Sequence, residues 1–131
     1  MPVNESVAKL PLIYHPIYSV PLPANHPFPM PKFYALRQRL EDEGFDEFAE
    51  FIEPQRALDE QLHRAHDADY VQTFLQGKID AKALRRMGFP WSEVLAERTR
   101  MAVGGTLATV YAALDCGLAG HLTGGTHYAH R

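Results

Sequence analysis

The apolar positions of this chain change period several times, and each change marks an element. Leu10 to His15 (LPLIYH) is a short apolar run with Pro11 near its start and Pro16 behind it, which predicts a buried strand. In Lys32 to Gly44 (KFYALRQRLEDEG), Phe33, Leu36 and Leu40 recur at i, i+3 and i+7, the face of a helix, and Gly44 suits the position after its end. Phe48 to Glu53 (FAEFIE), ahead of Pro54, predicts a second short strand. Leu58 to Gln76 predicts two short helices, starting near Asp59 and after Asp67, with Leu58, Leu62, Tyr70, Val71, Phe74 and Leu75 as apolar contacts and Gly77 as the stop. Asp80 caps a further helix that ends at Gly88. After the turn Phe89-Pro90-Trp91, Ser92 and Glu93 start the longest helix, which runs to about Cys116. Within it Gly104, Ala108 and Ala112 stand four apart, a stripe of small residues suited to close packing on a sheet. Gly117 ends that helix, and Ala119 to Thr123 predicts a last strand.

Strand, helix, strand, several helices and strand is the alternation of an α/β protein with a parallel sheet. Ligands in such sheets bind beyond the carboxyl ends of the strands. The stretch GGTHYAHR, Gly124 to Arg131, follows the last predicted strand at such an end. A second irregular stretch lies between Pro16 and Pro31, which holds six of the ten prolines. So many fixed φ angles and missing N–H donors predict a stiff loop without helix or central strand. It serves equally well as a functional loop or as a connector.

Composition narrows the class. With 131 residues, 46% of them hydrophobic and 22% charged, the chain fits one globular domain with a modest core. Net charge is −3 and the basic residues are scattered (Arg37, Arg39, Arg85, Arg86, Arg98 and Arg100 among them), which argues against a nucleic-acid surface. The single cysteine, Cys116, excludes an internal disulfide and suits a reducing compartment; late in an apolar helix, it is expected to be buried. The N-terminus lacks a signal-peptide pattern, and the uncharged run Met101 to Leu114 is 14 residues, too short for a membrane span. A cytoplasmic protein without membrane partners is expected.

Seven histidines are candidates for chemistry. His63 and His66 stand i, i+3 on a helix, but no acid or cysteine stands at a known metal-ligand spacing, so one surface histidine and one buried, hydrogen-bonded histidine are expected there. Glu60, Asp67 and Asp69 are explained by helix N-termini. Tyr14 and Phe28, in YHPIYS and HPFP, are compatible with a pocket wall or with the core. His127 stands apart, because Gly124 and Gly125 before it allow backbone conformations closed to other residues. A catalytic or ligand role and a turn that happens to contain histidine both remain open for it.

Ordered segments across nearly the whole chain resemble the N-terminal part of the histone deacetylase family, closest to its bacterial and class IV-like members. LPLIYHPIYS resembles the family's first strand and following loop, and NHPFPMPKFYALRQRL its proline loop and first helix. FIEPQRALDEQLHRAHDADYV resembles the stretch in which a His–Asp pair precedes a tyrosine, and IDAKALRRMGFPWS the segment before the long helix. AVGGTLATVYAALDCGLAGHLTGGTHYAHR resembles the long helix, the next strand and the GGTHHA motif. The resemblance implies that residues 1–131 are one partial domain, the N-terminal portion of a three-layer αβα arginase/deacetylase fold.

It further implies a zinc-dependent hydrolase that removes acyl groups from acylated lysine or a small acylated amine. In the family the paired histidines act as general base and acid, and a later tyrosine stabilises the oxyanion. His127 matches the first histidine of the pair, and Gly124 and Gly125 are the motif glycines. His26, Phe28 and Pro29, with Phe89, Pro90 and Trp91, match segments near the rim of the substrate channel. The second histidine of the pair falls at Tyr128. A phenol with a reference pKa of about 10 stays protonated where an imidazole near 6.5 takes a proton. His130, three residues on, is not expected to replace it. The family's zinc ligands follow the motif, so Zn²⁺ belongs to the complete domain and none is expected to be held by these 131 residues alone. A last strand near Thr123 without its neighbours would expose a sheet edge open to self-association. A non-catalytic binding or assembly module derived from the fold is the alternative.

Overall fold

The computed structural model describes residues 8–124. Three parallel strands, β1 (Leu10–Ile13), β2 (Ala49–Ile52) and β3 (Gly120–His121), form one sheet in the order β2-β1-β3. Leu10 pairs with Ala49 and Ile13 with Ile52 on one side of β1, while Leu12 pairs with Gly120 and Ile13 with His121 on the other. Five α-helices accompany the sheet among the described residues: α1 (Lys32–Asp42), α2 (Asp59–His63), α3 (Ala68–Leu75), α4 (Ala81–Met87) and α5 (Glu93–Cys116). The alternation read from the sequence is therefore the observed α/β architecture. Among the described residues no helix is long and apolar enough to cross a membrane.

Local chemistry sets the helix bounds. Asp67, Asp80 and Ser92 each accept a backbone N–H with their side chain at the start of α3, α4 and α5. Gly88 and Gly117 close α4 and α5 with φ of 79° and 94°, a region that side-chain-bearing residues rarely enter. The proline loop does contain one regular piece, a 3₁₀ turn over Pro16–Tyr18, where a proline at the first position costs no hydrogen bond. A second 3₁₀ turn, Phe45–Glu47, precedes β2 and has no counterpart in the sequence reading.

The main core joins Leu12, Tyr14, Tyr18, Phe33, Phe89, Leu95 and Leu122, drawn from β1, the proline loop, α1, the turn after α4, α5 and the end of β3. A satellite core of Ala57, Leu62 and Val71 sits under α2 and α3. Several expected core positions lie outside. Leu36 is exposed on α1, where Arg37 instead turns inward, 3.5 Å from the centroid of the Phe51 ring and paired with Glu41 at 2.6 Å. Leu58 and Tyr70 are exposed as well.

The small-residue stripe on α5 also works differently from its expected form. Gly104 faces the backbone of Gln55 to Ala57, a loop rather than the sheet, and a Cβ there would run into it. That loop is strapped to the helix: the Ala57 N–H donates to the Arg100 carbonyl at 3.0 Å, and Arg100 returns two bonds to the Ala57 carbonyl at 3.1 and 2.8 Å. Gly105, not Ala108, makes the next close approach, toward Tyr18 and His121.

Candidate functional site

The segment that leads into the GGTH motif is held by a polar cluster. Strand alternation turns His121 and Thr123 to one side of the chain and Leu122, which is buried, to the other. His121 Nε2 lies 2.7 Å from the hydroxyl of Tyr18, a side chain with no exposed surface. Arg98, from the first half of α5, donates through Nε to the Tyr18 carbonyl at 2.8 Å and through Nη2 to Thr123 Oγ1 at 3.1 Å. Both ends of Tyr18 are thus bonded to groups that bear on the same strand end. Gly105 makes room for the cluster, since a Cβ there would overlap the Tyr18 hydroxyl and His121 Nε2.

Burial governs its charges. Desolvation pushes the Tyr18 phenol up, against the lowering effect of the Arg98 charge, so Tyr18 stays protonated at neutral pH. Burial pulls the His121 imidazole down, which favours its neutral form. It also pulls Arg98 down from the ordinary guanidinium value, which still leaves it charged. The bonding closes consistently when Tyr18 donates to Nε2 and Nδ1–H faces Thr106 Oγ1 at 3.5 Å, because that hydroxyl itself donates to the Ala102 carbonyl at 3.2 Å. Arg98 is only 5% exposed and makes no ion pair among the described residues.

Gly124 directly follows Thr123 and is exposed. Gly125, His127, Tyr128 and His130 lie outside the described residues. Of the residues matched to the channel rim, His26, Phe28 and Phe89 come together from positions far apart in sequence. His26 Nδ1 accepts the Phe28 N–H at 3.1 Å, so its Nε2 donates to the Gly88 carbonyl at 2.8 Å. The His26 ring stacks on Phe89 with centroids 5.0 Å apart, and Phe28 meets Phe89 edge-on at 5.3 Å. Beside them the proline loop curves around a cavity of about 580 Å³ walled by Val20, Leu22, His26, Phe28, Met30 and Tyr34. Pro29 and Pro90 are exposed. Trp91 is engaged elsewhere: Nε1 donates to the Phe74 carbonyl at 2.7 Å, and its ring covers Gly77, where a Cβ would come within 2.8 Å of ring carbons.

The other candidates resolve plainly. His63 and His66 are both exposed, so the expected buried partner is missing; His66 packs instead beside Tyr70, with centroids 5.8 Å apart. Cys116 is exposed rather than buried, because α5 extends beyond the core before it ends. Asp67 caps α3, and Glu60 pairs with Arg64 at 3.6 Å. Among the described residues no group of three or more His, Cys, Asp or Glu side chains could hold a metal ion. The described residues alone therefore do not fit the zinc site that the resemblance implies.

Tyr18, Arg98 and His121 escaped the sequence reading. The adjacent pair Gly104-Gly105 inside a helix was the available signal, since glycine in a helix interior costs about 1 kcal/mol unless something must come close.

A family model for the histone deacetylase domain matches residues 26–131. An uncharacterized protein of Picosynechococcus sp. is 44% identical over 119 residues, which cover 91% of this chain. The chain spans about 40% of the length of that relative. With a parallel α/β sheet that leads into the GGTH segment, and with a match over most of its length, this chain belongs to the histone deacetylase family. Its architecture is consistent with a partial arginase/deacetylase fold.

Proposed function

We propose that this polypeptide supplies the general-base segment and part of the channel wall of a zinc-dependent amide hydrolase that acts on acylated lysine or a small acylated amine. The observation that carries the reading is the family match over residues 26–131, which includes the GGTH motif. In this reading His127 takes the proton from the attacking water. Tyr128 does not share that work at neutral pH, because a phenol holds its proton there. Among the described residues no group of His, Cys, Asp or Glu side chains could hold the metal, so none of them is assigned a zinc-ligand role.

The purified chain, assayed with Zn²⁺ on a fluorogenic acetyl-lysine peptide, tests the last point. Turnover by a monomer that is abolished in His127→Ala would overturn it. For the hydrolase reading, residues 1–131 replace the matching segment of the Picosynechococcus relative. Deacylation by the chimaera that is lost in His127→Ala supports the reading, and an inactive chimaera beside an active relative sinks it.

An assembly module is the second reading, favoured by one observation: among the described residues β3 pairs with β1 alone and leaves its outer side without a strand. Light scattering after size exclusion separates the two, since a monomer at high concentration counts against assembly through that edge.

A further inference from the structure

We propose that Arg98 is the positioning residue for the base-carrying segment, acting through Thr123; this rests on the reading of His127 as the base. A buried guanidinium is costly where, among the described residues, no carboxylate pairs with it, and its place on α5, one turn beyond buried Leu95, would suit an apolar side chain. What Arg98 adds there is a rigid fork of donors that reaches two separate segments at once. Nε holds the Tyr18 carbonyl at 2.8 Å and Nη2 holds Thr123 Oγ1 at 3.1 Å.

The need for such a fork follows from the shortness of β3. The strand is two residues long, and the bond from the Leu122 N–H to the Ile13 carbonyl at 2.9 Å is the last backbone link to β1 among the described residues. One residue later the chain is tied by the Thr123 hydroxyl to Arg98, and the next residue is Gly124, the first glycine of the motif. Tyr18 serves as the common anchor. Its carbonyl takes Arg98 and its hydroxyl takes His121, so the fork and the histidine fix the same strand end against the turn after β1. The direction in which the chain enters GGTH is therefore set from α5.

Amide hydrogen exchange in the 131-residue chain tests this without turnover, so its failure leaves the hydrolase reading standing, and the reverse also holds. The probe is the Leu122 amide, the last rung of the ladder, with the α3 amides as internal reference. Thr123→Val removes the acceptor at nearly constant shape. It should raise Leu122 exchange about tenfold or more while α3 stays unchanged, because bonds to charged donors are worth at least that factor. Thr123→Ser keeps a hydroxyl and should match the parent chain. Arg98→Lys keeps the charge, loses the fork and should behave like Thr123→Val. The proposal fails if Thr123→Val leaves Leu122 unchanged, if exchange rises equally in α3, or if Arg98→Lys matches the parent. Should Arg98→Lys not fold, the two Thr123 variants decide the matter alone.

Discussion

From Glu93 to Gly105, α5 buries Leu95, Ala96, Arg98, Gly104 and Gly105, while from Thr106 to Cys116 the same helix leaves Val110, Tyr111 and Leu114 at 50%, 65% and 78% exposure. The exposed half leaves large apolar side chains such as Tyr111 and Leu114 in water. The buried half includes two glycines and an arginine, and at Gly104 and Gly105 its neighbours come closer than a Cβ would allow. What a helix buries is decided by which backbone and polar groups it must approach, more than by how apolar its residues are. Substitutions on the two sides of this divide should differ sharply.

Gly104→Val should have the largest effect. Its Cβ would meet the Gln55 carbonyl and the Ala57 amide, backbone atoms that Arg100 straps to the helix and that cannot swing aside. Overpacking of this kind costs about 3 kcal/mol, well beyond the helix propensity that valine regains. Urea denaturation should give that loss, and a stable variant would mean that the 55–57 loop gives way. Arg98→Met comes next. It relieves a desolvated charge but leaves the Tyr18 carbonyl and the Thr123 hydroxyl without their donors, a loss of about 2 kcal/mol measured the same way. An unchanged midpoint would show that the fork adds nothing to stability.

This divide also marks how far the sequence could be read. Every strand and helix was legible within a few residues, because caps such as Asp67, Asp80 and Ser92 and stops such as Gly88 and Gly117 act on their own neighbours. The short 3₁₀ turn at Phe45–Glu47 was not, since it follows from how α1 hands over to β2. The local pattern points Leu36 and Leu58 inward, but both are exposed, and tertiary packing chooses Arg37 over Leu36. Of the candidate site, His26 and Phe28 meet Phe89 although it stands far from them in the chain, a contact that no local pattern announces. Tyr18, Arg98 and His121 were hidden, because their partners stand 103, 80 and 25 residues away in sequence, and no local period reports on such distances.

A smaller effect should come from His121, which lies against Gly105 in the buried half and faces Thr106 at the divide. Burial lowers its pKa in the folded chain below the value of about 6.5 expected on unfolding. The unfolded state then binds more protons as pH falls below that value, so the stability His121 contributes is full above about pH 6.5 and is lost as pH drops toward the folded-state value. Urea midpoints at pH 7.5 and 5.5 should fall further for the parent chain than for His121→Gln. Equal falls would remove His121 as the source.

Leu114→Ser should change least. At 78% exposure the leucine buries little apolar surface, and substitutions at such positions stay within about 0.5 kcal/mol. The dependence on protein concentration carries the information here. If α5 leaves this half in water, the unfolding midpoints of parent and variant should coincide at low and at high concentration. If Val110, Tyr111 and Leu114 are covered by a second copy, the parent alone should gain stability as concentration rises, because association stabilises only the folded form. That outcome would erase the contrast between the two halves of α5: the second half would then be buried like the first, by another chain in place of its own.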